Sequence, residues 1–147
     1  GPERPCVRVL RADGTDTGIA FHGVPGGHEF NSFVVGLYNA AGPGQSIDPA
    51  LAEAIAAIDR PLDLQIVVAL SCTMCPELVI AAQKIAASNP LVTAKVYDVN
   101  HFPELRERYK IMSVPCLIIN KAKVAFGKKT LGQLLELLAE PEAGQTG

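Results

Sequence analysis

The sequence predicts an α/β fold: a central mixed four-stranded sheet flanked by helices, preceded by a smaller block of one hairpin and one helix. Three observations carry this. From about residue 63 onward, short apolar segments alternate with segments of helical periodicity. Two thiols, in Cys72-Thr73-Met74-Cys75, sit at a strand-to-helix junction. About 40 residues later, Val114-Pro115 stands just ahead of another apolar strand.

The elements follow in order. Val7 to Arg11 and Ile19 to His22 read as a hairpin across the turn-rich run Ala12 to Gly18. Glu29 to Ala40 reads as a helix with Phe30, Phe33, Val34 and Leu37 on one face. Gly42-Pro43-Gly44 separates this block from the next. Asp48 is placed to cap a helix that opens on Pro49 and runs to about Ile58. A strand at about 63 to 70 then feeds the cysteine motif and a helix to about 88. After these come a strand at about 92 to 98, a short helix at about 103 to 109, strands at 114 to 119 and about 122 to 126, and a closing helix at 130 to 139. The first crossover is expected to be parallel, and the last two strands to pair antiparallel across Asn120-Lys121.

Composition narrows the function classes. The 147 residues are 48% hydrophobic and 19% charged, enough to bury a core. A net charge of -2 and scattered Lys and Arg leave no electrostatic footprint for nucleic acid. Lys121, Lys123, Lys128 and Lys129 read as a solvated rim, with docking of an acidic partner as the sharper alternative. No apolar run reaches the roughly 20 residues that a membrane span needs, and the polar start, Gly1 to Pro5, does not resemble a signal peptide. A cytoplasmic setting is expected, for a chain that begins without Met and reads as part of something longer.

Two thiols three residues apart can alternate between dithiol and disulfide. The apolar run Leu64 to Leu70 leads into them, and Leu78, Val79, Ala82, Ile85 and Ala86 follow with helical spacing. The unpaired N–H groups and positive dipole end of a helix start favour an anion, here the Cys72 thiolate. A lowered thiol pKa makes Cys72 the nucleophile. The plainer reading is a structural pair or half of a zinc site, but zinc needs two more ligands. His22, His28 and His101 are scattered, and there is no second C-x-x-C. Redox chemistry is the expectation.

The second block resembles a thioredoxin or glutaredoxin fold. The residues that carry the resemblance are Cys72 to Cys75, Val96-Tyr97-Asp98-Val99, Pro103-Glu104-Leu105, Tyr109, and Ser113-Val114-Pro115 followed by Cys116 to Ile119. The first block adds Gly27-His28-Glu29-Phe30-Asn31-Ser32, which is similar to the N-terminal domain of the alkyl hydroperoxide reductase flavoprotein subunit, or to the equivalent C-terminal domain of thioredoxin-reductase-like flavoproteins. That domain holds two thioredoxin-like folds. The resemblance implies a partial half-fold over 1–44 and a redox-active fold with a linker helix over 45–147.

It also implies roles. Cys72 attacks and Cys75 resolves, a cis Pro115 lies against them where a substrate chain docks, and Glu29 approaches from the half-fold to move a proton to or from Cys75. The strand position that holds a buried Asp in thioredoxin is apolar here, around Ile66. Cys116, where thioredoxins commonly have Thr, suggests a third thiol near the pair; its plainer reading is a small apolar filler. Cys6 reads as incidental, His28 as a turn or capping residue, and Met74 as exposed docking surface or mere spacer.

The implied function is a thiol-disulfide relay from a flavoprotein disulfide reductase, in trans or as the parent chain, to a peroxiredoxin or other acceptor protein. FAD and NAD(P)H are expected on that flavoprotein, since this chain has no G-x-G-x-x-G fingerprint. A non-catalytic docking module and a free-standing glutaredoxin-like protein are the alternatives.

Overall fold

The computed structural model describes residues 4–140. Its elements are β1 (Cys6–Leu10), β2 (Asp16–His22), α1 (Glu29–Ala41), α2 (Pro49–Ala56), β3 (Leu62–Val68), α3 (Cys75–Ser88), β4 (Val92–Asp98), α4 (Pro103–Tyr109), β5 (Cys116–Ile119), β6 (Lys123–Phe126) and α5 (Leu131–Ala139).

Strand β3 lies inside the sheet and is buried along nearly its whole length, with one apolar face, Leu62, Leu64, Ile66 and Val68, and one mixed face, Asp63, Gln65 and Val67. Leu64, Ile66 and Val68 join the larger core, while Val67 joins a second core on the opposite face. A strand covered on both faces needs neighbours on both edges. Strand β4 pairs with it in parallel and β5 antiparallel, and β6 continues antiparallel from β5. The last two strands meet through Asn120 and Lys121, both at positive φ, a backbone that suits a tight hairpin. Helices α1 and α5 each pack on α3, and α3 covers the larger core. Phe102 and Leu105, at the start of α4, bury themselves in the second core.

The four-stranded core is as the sequence predicts, but the sheet does not stop there. Strand β2 pairs in parallel with β4, and β1 pairs with β2, giving one six-stranded sheet in the order β1-β2-β4-β3-β5-β6. The hairpin therefore shares the main core: Ile19 and Phe21 pack into it beside Val96. Strand β5 starts at Cys116, two residues later than expected, because Val114-Pro115 is a cis bond and Pro115 has no N–H to give the ladder. Helix α5 begins behind a reciprocal capping box between Thr130 and Gln133. Among the described residues no helix is long and apolar enough to cross a membrane.

Helix α1 is turned the opposite way from its apolar pattern. Phe30, Val34 and Leu37 are exposed and Phe33 is only partly buried, while Glu29, Ser32, Gly36 and Asn39 are buried. Close approach decides this. A Cβ on Gly36 would lie 2.8 Å from the Gln83 amide carbon, so a side chain there would have to displace the buried, hydrogen-bonded Gln83 amide. Gln83 then donates to the Ser32 carbonyl at 2.8 Å. A small, polar face that meets a buried amide outweighs the apolar stripe.

Gly36→Ala is expected to lower stability by roughly 1–3 kcal/mol through overpacking, measured by denaturant unfolding. Helix propensity alone acts the other way, by up to about 1 kcal/mol. An unchanged or raised midpoint would show that α1 does not depend on this contact.

Candidate redox site

The two cysteines occupy unlike environments. Strand β3 ends at Val68, a turn closed by the Cys72 N–H donating to Ala69 O at 3.0 Å follows, and α3 begins at Cys75. Cys72 lies in that turn, half-buried, and Cys75 is the first helical residue and fully buried. They are joined as a disulfide with a Cα–Cα separation of 5.6 Å, ordinary for such a bond. Only Cys72 is open enough for a second sulfur to reach. The two expected roles thus fall on sulfurs of unlike exposure, Cys72 half-buried and Cys75 buried.

Residues 114 and 115 come to the same place. The Cys72 sulfur lies 3.9 Å from the Val114 carbonyl, and the Val114-Pro115 bond is cis, as expected. Met74 and Met112 are exposed on the motif and on the approach to Pro115, a polarizable apolar margin. Cys116 is not a third member. It joins Val67 and Ile118 in the core on the far face of the sheet, away from Cys75, and burial pushes its thiol up to about 11. It behaves as a small apolar filler. Cys6 is exposed on β1 and lies 3.9 Å from His22 Nε2, on the strand farthest in sheet order from β6.

Glu29 is brought toward the motif from the first block. Gly27 adopts a positive φ of 53°, and a Cβ there would lie 2.6 Å from the Leu70 carbonyl. That close contact lets the His28 N–H donate to Leu70 O at 2.9 Å, two residues ahead of Cys72. His28 stands at the N-cap of α1, but its exposed side chain makes no capping bond. Helix α1 packs along α3 through Gly36 and Gln83, and Gly27 lies against Leu70, so α1 starts beside the turn that leads to Cys72.

The Glu29 carboxyl is fully buried. Ser32 donates to Oε1, and Oε2 has no hydrogen-bond partner. Burial pushes this carboxyl above its ordinary range, against the opposing Ser32 hydrogen bond. Ser32, Gly36 and Gln83 were not legible as site residues. Their one sequence signal is that Ser32 and Gly36 lie three and seven residues after Glu29, a small stripe opposite the apolar one. Two of the four lysines have partners: Lys123 pairs with Glu140, and Lys129 donates to the Phe126 carbonyl. No cluster of His, Cys, Asp and Glu among the described residues could hold a metal ion.

Residues 62–139 match the thioredoxin domain family. The chain belongs to that family. It is 33% identical over 135 residues to the alkyl hydroperoxide reductase AhpF of Pseudomonas aeruginosa, covering 92% of this chain and 25% of the relative. A solved structure of the N-terminal domain of AhpF from Enterococcus faecalis superposes with a TM-score of 0.89 at 42% identity, over 93% of this chain and 66% of the other. An Aeropyrum pernix protein disulfide oxidoreductase shares the fold, with a TM-score of 0.79 at 23% identity over 92% of this chain and 58% of the other. The chain spans about a quarter of the length of the curated relatives it matches. It is therefore a thioredoxin-like domain similar to the N-terminal part of AhpF, carrying a C-x-x-C disulfide.

Two outcomes are expected. After reduction, Cys72 should alkylate rapidly near neutral pH and Cys116 scarcely at all, as read by peptide mass spectrometry; comparable labelling of Cys116 would contradict its burial. Native Glu29 keeps its proton at pH values where the unfolded chain has lost it. Stability should therefore fall as pH rises from the ordinary carboxylate range to the raised folded value. Glu29→Gln should flatten that part of the profile in thermal melts, and an unaltered slope would count against a buried ionisable Glu29.

Proposed function

We propose that this domain relays two electrons from a flavoprotein disulfide reductase to a peroxiredoxin-type acceptor protein. The observation that carries the reading is the asymmetry of the disulfide, with a reachable Cys72 beside the Val114 carbonyl and a buried Cys75 behind it. The similarity to the alkyl hydroperoxide reductase AhpF supports the choice of donor and acceptor.

In the dithiol state the Cys72 thiolate attacks an acceptor disulfide. One acceptor sulfur leaves as a thiolate and a mixed disulfide forms. The Cys75 thiol gives up its proton and its sulfur attacks Cys72, so the mixed disulfide breaks and the second acceptor thiolate leaves. Two electrons have moved to the acceptor, its two thiolates take up protons, and Cys72–Cys75 is again a disulfide. Glu29 is the group proposed to take the Cys75 proton, since a carboxyl with a raised pKa is suited to proton exchange near neutral pH. Pro115, with the Val114 carbonyl, is proposed to hold the acceptor chain by short edge pairing. FAD and NAD(P)H belong to the reductase, as partner or as parent chain, and supply the electrons; no residue of this chain is proposed to hold them.

Coupled turnover with a flavoprotein reductase, NAD(P)H and a peroxiredoxin tests this. Cys72→Ser should abolish turnover, and Cys75→Ser should trap a mixed disulfide with the acceptor. Turnover by Cys72→Ser equal to that of the unaltered chain would leave the disulfide a structural staple in a docking module. Turnover sustained by glutathione alone would favour the glutaredoxin-like reading.

A further inference from the structure

The relay uses Glu29 but not the groups that hold it. Three side chains, from two helices, form a buried polar set: Glu29 and Ser32 on α1 and Gln83 on α3, none more than 1% exposed. Gln83 donates to the Ser32 carbonyl and so ties this turn of α1 to α3. The Ser32 hydroxyl oxygen is within hydrogen-bond distance of two acceptors, Glu29 Oε1 and the Glu29 backbone carbonyl at 2.9 Å. A hydroxyl has one proton to donate and two lone pairs that accept. It cannot donate to both at once.

We propose that Ser32 is a positioning residue that holds the Glu29 carboxyl through Oε1 in both of its charge states. When Glu29 is ionised, the hydroxyl proton belongs on Oε1, since a charged acceptor makes the stronger bond. When Glu29 carries its proton on Oε1, that proton is donated to the Ser32 oxygen, and the hydroxyl turns its own proton to the backbone carbonyl. The carboxyl changes charge without changing place, and Oε2 stays without a partner in either state. Other titratable groups do not take this part. On α3, Glu77 is exposed and Lys84 lies beside Gly44; on β2, Asp16 pairs with Arg8 and His22 stacks on Tyr97 across the sheet. His28, next to Glu29 in the chain, is exposed at the N-cap and makes no capping bond.

The inference rests on the reading of Glu29 as the proton-exchanging group, and its test separates the two. The Glu29 side-chain carboxyl is titrated by carbon-13 NMR in the unaltered chain, Ser32→Ala and Ser32→Thr; Ala favours helix, so α1 is kept. Losing the donor to Oε1 should move the titration of Ser32→Ala upward by about one pH unit or more, and Thr should restore it. The rising limb of the pH–rate profile for reduction of a small disulfide should move with it, and Ser32→Ala should have no effect on that profile in a Glu29→Gln background. A Glu29 titration unmoved in folded Ser32→Ala overturns the role of Ser32, as does an equal profile shift in the Glu29→Gln background. A titration that moves while the rate profile does not supports Ser32 as the holder of Glu29 and removes Glu29 from the proton step.

Discussion

Burial of β3 on both faces is the constraint on which the molecule depends. A strand with no solvated face needs a sheet edge on each side and a helix layer above and below. Strands β4 and β5 supply the edges, and α3 and α4 the layers. The same strand ends at Val68, so the turn that follows is anchored by the most buried part of the protein. The redox cysteines are placed by that anchoring. Cys75 enters the core as the first residue of α3, and Cys72 is left in the turn above it.

The second dependence is the close packing of α1 on α3. Gly36 permits it, Gln83 fills the contact, and Gly27 with the Leu70 carbonyl pins the start of the helix beside the motif. The cost is a buried carboxyl and an apolar stripe left in water. Isolated burial of a carboxylate is unfavourable unless the group is bonded or kept neutral, and Ser32 with a raised pKa accounts for how Glu29 is tolerated. The hairpin-and-helix block thus brings a buried carboxyl to the start of α1, beside the turn before Cys72, as well as extending the sheet.

Much of this was legible from residues alone. The alternation of apolar strands and periodic helices in the second block, the C-x-x-C at a strand-to-helix junction and the Val114-Pro115 pair ahead of β5 all act locally, through side-chain period, turn chemistry and ring constraint. Their boundaries shift by only a residue or two in the fold. The side of the sheet taken by Cys116 is likewise a matter of strand period: Leu117 and Ile119 face one core, Cys116 and Ile118 the other.

The orientation of α1 and the continuity of the sheet were not legible, and for one reason. Hydrophobic periodicity states which helix face prefers burial in the absence of a partner, whereas burial is settled by how near the partner can come. Two residues without bulk, Gly36 and Ser32, let α3 approach the face that the pattern marks as polar, and β2 finds its partner in the distant β4, where Ile19 meets Ala94. The sequence by itself determined the dithiol, its junction and the proline opposite it, because each depends on neighbouring residues. Only the tertiary structure decided that Glu29 is buried, because that depends on how near α3 comes to the small face of α1, and the two helices are far apart in the chain.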